Sequence, residues 1–125
     1  MKRPRFPRSP LHTALWVDAT FELVGGTMLL ALRGSVADWL NVDRNFVSLA
    51  GAVFLVAAIA IAAIGFKAEP SRSVVSALAA FNALCGVVIW CVVASKWSEI
   101  TPEGRWLVAA AADSLIAVAL LEFLA

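Results

Sequence analysis

The chain is poor in most of the residues that aqueous catalysis relies on. It has one histidine, His12, no tyrosine and two cysteines in 125 residues. No G-x-S-x-G, H-E-x-x-H or glycine-rich phosphate loop is present, and nothing pairs the lone histidine with a nucleophile. Cys85 and Cys91 form no C-x-x-C and have no histidine at metal-ligand spacing. Six residues apart on one helix, they point about 120° from each other, cannot pair, and read as buried small hydrophobic side chains. No enzyme, no metal site and no cofactor is expected.

Charge is scarce as well. Charged residues make up 15% of the chain and hydrophobic residues 62%, with a mean hydropathy of +0.87. A water-soluble domain carries about 25% charged residues, so the class is integral membrane. The net charge of +1 hides a segregation. Lys2, Arg3, Arg5 and Arg8 crowd a short, proline-broken N-terminal segment, which suits anionic lipid headgroups and topology setting rather than nucleic acid.

What the chain does have is long apolar segments. Four stand out, near 11–33, 45–66, 73–95 and 104–125. Each is long enough to cross a hydrocarbon core of about 30 Å at about 1.5 Å per residue. A span in lipid must satisfy its own backbone, so all four are predicted helices. The expected fold is an all-α, integral membrane four-helix bundle, with residues 1–125 as one transmembrane domain. Arg33-Gly34-Ser35 is expected to close span one, with Asn41 or Asp43 capping span two and Ser71 or Ser73 capping span three. Thr101-Pro102-Glu103 combines an N-cap, a proline for the first turn and an acid at the positive helix end. Span one is too long, and too acidic with Asp18 and Glu22, to read as a cleaved leader.

Basic residues set the expected orientation. The N-terminal segment and the 67–72 connection are richer in Lys and Arg than the other two connections, where acids accompany Arg44 and Lys96. Both termini are therefore expected to be cytoplasmic. Trp39, Trp97 and Trp106 would lie at the outer interface and Trp16 near the inner one. An offset of 60 residues aligns Phe21 with Phe81, Gly26 with Gly86, Ser35 with Ser95 and Leu55 with Leu115. It also sets Glu22 over Asn82 and Asp43 over Glu103. This pattern suggests a duplicated helical hairpin with a pseudo-twofold axis along the membrane normal.

Three spans carry a polar residue near their midpoint: Glu22, Asn82 and Asp113. Asp18 lies one turn from Glu22 on the same face. Small residues continue these faces, with Gly25 and Gly26 on span one and Ala79 and Gly86 on span three. On span four, Ala109, Ala110 and Ala117 flank Asp113. The three faces are expected to point at one another, while span two, with Phe54, Leu55, Val56 and Ile59, packs or faces lipid. A carboxyl in a dry interior without a cation is cheaper to keep protonated than ionised.

Asp18, Glu22, Asn82 and Asp113 are thus the candidate ligand- or proton-binding residues. The first reading is a structural polar clamp in a small membrane protein of structural or accessory type, whose partner complex would sit on span two. The competing reading is a proton-coupled transporter of small cations, with Glu22 as coupling acid. Contacts within a homo-oligomer or larger membrane complex form a third. Glu122 reads as a solvated terminus within reach of Arg5, Arg8 or His12, and His12 as an interfacial residue.

The run Glu22-Leu23-Val24-Gly25-Gly26-Thr27-Met28 resembles the first helix of the small multidrug resistance transporters. That resemblance implies a coupling role for Glu22. The layout over about 11–125 is similar to small four-helix bacterial inner-membrane proteins, the DoxX-like proteins among them, which implies a bacterial inner-membrane location.

Overall fold

The computed structural model describes residues 10–125. Five α-helices follow in order: α1 Pro10–Ala31, α2 Arg33–Leu40, α3 Arg44–Gly65, α4 Arg72–Ser95 and α5 Pro102–Leu124. A short 3₁₀ turn, Trp97–Glu99, joins α4 to α5. Helices α1, α3, α4 and α5 are each long and apolar enough to cross a membrane. They pack as a bundle, and the large hydrophobic side chains left on its outside form the surface offered to lipid.

The helix ends follow the local chemistry. Asp43 opens α3, its Oδ1 accepting the Asn45 N–H at 2.7 Å. Ser71 opens α4, and Thr101 opens α5 by accepting the Gly104 N–H at 3.2 Å. Asn41 serves instead to end α2, in the left-handed region at φ 55°, with its N–H turned back towards Ala37 and Asp38.

The first span ends at Ala31, next to Arg33-Gly34-Ser35, but those three residues are helical rather than a turn. The backbone only kinks at Leu32, because Leu32 still donates to Met28 and accepts from Val36, and the chain runs on into α2. Helix α2 caps one end of the bundle: Val36 and Ala37 are buried against Val47, with Leu29 and Leu107 packed beside them.

Consecutive spans pair closely, α1 with α3 and α4 with α5. Small residues set both approaches. A Cβ on Gly26 would lie 2.8 Å from the carbonyl oxygen of Gly51, and one on Gly86 would lie 3.0 Å from that of Ala112. Leu55 and Ile116 are the side chains lying over the two glycines. Offset by 60, Gly51 and Leu55 become 111 and 115, one residue from the contacts observed.

Leu15, Ala19, Ile61 and Val75 form a core cluster between α1, α3 and α4 near one end. At the other end, the backbone N–H of Thr101 donates to the Trp39 carbonyl at 3.0 Å, and its hydroxyl reaches the same oxygen at 3.3 Å. This contact fastens α2 to the start of α5. Thr101→Ala loses both the cap and that second bond, and should cost about 1 kcal/mol or slightly more, read as a lower thermal midpoint in detergent.

Four of the five tryptophans divide between the two ends as expected. Trp39, Trp97 and Trp106 lie at the α2 end, where Arg105 stacks over Trp97 at 4.8 Å. Trp16 sits at the other, edge-on to Phe66 with ring centroids 5.0 Å apart. The His12 ring nitrogen Nε2 lies 2.8 Å from the carbonyl of Lys67 at that end.

Candidate functional site

Helix α1 buries Leu15, Asp18, Ala19, Glu22 and Gly26, one continuous stripe at helical spacing. Helix α4 buries Val75, Ala79, Asn82 and Gly86 in the same way. The expected faces of spans one and three are therefore the faces turned inward. Asp18 is fully enclosed at 0% exposure, with Glu22 and Asn82 at 3% each.

Helix α5 departs from expectation. Its inward stripe is Gly104, Val108, Ala112, Leu115, Val118, Ala119 and Glu122. Asp113 is one residue, or about 100°, out of that phase. It lies exposed on the bundle's outside, where Trp90 Nε1 donates to its Oδ1 at 2.9 Å. The expected convergence of Asp113 with Glu22 and Asn82 does not occur.

Glu122 takes the vacant role. It is 1% exposed, so it is not a solvated terminus. Arg5 and Arg8, suggested as its partners, lie outside the described residues. Although Glu122 stands in the last turn of α5, helical side chains lean towards the N-terminus of their helix. That lean carries its carboxyl back into the bundle, to the level of Asn82.

Asn82 is the hub. Its Nδ2 donates to Asp18 Oδ2 at 2.8 Å and to Glu122 Oε1 at 3.0 Å, spending both amide hydrogens on acids from two other helices. The Asp18 and Glu122 carboxyls are also within hydrogen-bonding reach of each other, and Glu22 lies within electrostatic range of both. Among the described residues, three buried oxygens, Asp18 Oδ1, Glu22 Oε2 and Glu122 Oε2, have no backbone, amide or hydroxyl donor. Among the described residues no metal-binding arrangement of His, Cys, Asp or Glu is formed.

The chemistry of this set is constrained. One proton held between Asp18 and Glu122, together with the two Asn82 donors, gives each of those acids a partner, but with Glu22 ionised it leaves two negative charges in the core. Further protons, or a small cation, are needed to remove them.

The cysteines differ from each other. Cys85 is half-buried on α4, whereas Cys91 is exposed on the outside and is not the buried side chain expected. A groove of about 1120 Å³ runs along the seam of α1 and α5, from Trp16 past Val24 and Met28 to Leu107, Ala110 and Ser114. None of the buried acids lines it.

Fold and site together define a multi-pass membrane protein with an Asp/Glu/Asn cluster sealed inside its bundle. No protein-family model, curated protein or solved structure matches the chain. The four-span layout behind the resemblance to small inner-membrane proteins is present, and no family's residue roles are transferred to it.

Proposed function

We propose that the protein works through this core as a site that takes up and gives up protons, in exchange for a small monovalent cation. The observation that carries the reading is the set of three buried carboxyl oxygens with no backbone, amide or hydroxyl donor among the described residues. A clamp serving only to hold helices together gains nothing from acids it leaves unsatisfied, since each one costs stability. A site that loads and unloads needs such vacant acceptors. Glu22 and Glu122 are the exchanging acids, and Asp18 is held in place by Asn82.

In this reading the end bearing His12, Lys67 and Arg72, together with the basic N-terminal segment, faces the cytoplasm of a bacterial inner membrane. Glu122, in the last turn of α5, lies nearest to that side.

A structural or accessory role is the second reading. It is favoured by the two Asn82 bonds, which tie α1, α4 and α5 together at one level.

The two readings separate on amide substitution, because Gln copies a protonated Glu in shape and hydrogen bonding. The full chain is reconstituted, sodium or a small quaternary ammonium ion is added between about pH 5 and 9, and proton release is recorded. Exchange predicts release from the wild type that disappears in Glu22→Gln and Glu122→Gln, with helical content unchanged. Absence of release from the wild type across that range removes the exchange reading and leaves the clamp.

A further inference from the structure

Asp113 stands at the midpoint of α5, between Pro102 and Leu124, and faces outward. An acid at that depth on the outside of a bundle meets hydrocarbon, among the costliest surroundings for it. Within the chain its partner is the Trp90 indole N–H, a neutral donor that engages Oδ1 alone. Its second oxygen accepts no hydrogen bond among the described residues. The surrounding surface is shallow: Ala110 and Ala117 are exposed on either side, leaving room for another backbone to come close.

We infer that the outward face of α4 and α5 around Asp113 docks a transmembrane helix of another protein, one that carries an Arg or Lys near its middle. Charge complementarity selects this occupant. The described residues of a second copy do not supply the cation, because Arg33, Arg44, Lys67, Arg72, Lys96 and Arg105 all lie at helix ends or in connections. None reaches mid-span. The site differs from the core cluster and does not depend on how that cluster works. It also places the contact away from span two, the surface favoured by hydropathy alone.

The probe is a dansyl-labelled leucine–alanine peptide of about 20 residues with a single central arginine, co-reconstituted with the full chain in phosphatidylcholine vesicles. Association is read by energy transfer from tryptophan. The arginine peptide should bind about tenfold more tightly than its central-leucine counterpart, the size that one interhelical hydrogen bond provides. That preference should vanish in Asp113→Asn, which keeps an acceptor for Trp90, and persist in Trp90→Phe, which keeps the carboxyl.

Equal binding of the two peptides overturns the inference. So does a preference that survives in Asp113→Asn but is lost in Glu122→Gln, since the cation would then be reaching the core. Disulfide-linked dimers formed through Ala117→Cys in a Cys85→Ser/Cys91→Ser background would assign the face to a second copy instead.

Discussion

Asn82→Leu should lower the unfolding free energy by about 3–6 kcal/mol, the loss of two hydrogen bonds to acids at about 1.5–3 kcal/mol each. Among the described residues the amide is the hydrogen-bond donor to Asp18 Oδ2 and Glu122 Oε1, and all three residues are buried away from bulk water. Unfolding in mixed micelles, followed by far-UV circular dichroism, gives the measurement. The damage is not the loss of a contact alone but the stranding of acids already short of donors. Removing the acids too should therefore reverse it. The triple change Asp18→Leu, Asn82→Leu, Glu122→Met should return to wild-type stability or exceed it by about 1–4 kcal/mol, as when buried ionic groups give way to apolar packing. Should Asn82→Leu unfold at the wild-type midpoint, the amide is not what joins these helices.

The second large effect comes from two neighbouring glycines that should respond with opposite signs. A side chain at Gly26 meets the Gly51 carbonyl oxygen at 2.8 Å and Leu55 at 3.0 Å, and the backbone contact can be relieved only by moving α3. Gly26→Val should cost about 3 kcal/mol, at the upper end of ordinary overpacking. At Gly25 the added Cβ finds the Phe54 ring at 3.7 Å, an ordinary van der Waals contact. Gly25→Ala should then stabilise by about 0.5–1 kcal/mol through helix propensity. The same unfolding assay compares the two, and a loss at both positions would mean that the α1–α3 approach is tighter than the contacts around Gly25 indicate.

Much of the architecture could be read from residues alone, because its determinants are local. Hydropathy marks the four spans, and Asp43, Ser71 and Thr101 cap three of the helices through bonds to their own first turns. The inward faces of α1 and α4 were also legible, since Asp18, Glu22 and Gly26, like Ala79, Asn82 and Gly86, recur at helical spacing. Helix α5 is not legible in this way, because depth along it does not fix which side chain faces inward. Asp113 has the right depth and the wrong phase, while Glu122 shares the phase of Val108, Leu115 and Ala119 and recovers depth by leaning along its helix. The extra helix α2 was hidden for a different reason. Arg33-Gly34-Ser35 is a weak helix former, and burial of Val36 and Ala37 against Val47 overrides that local preference.

The order in which the chain is made gives the Asn82 bridge a further meaning. Helix α1 has the lowest hydropathy of the four spans, 1.3 against 2.1 to 2.7 for the others. It is made before the other three spans and bears two acids, while the amide that will hold Asp18 lies 64 residues further on. Until α4 has entered the bilayer, α1 is a poor tenant of the lipid interior, and a chain halted during translation before Asn82 should leave its opening segment at the membrane surface or within easy reach of quality-control proteases.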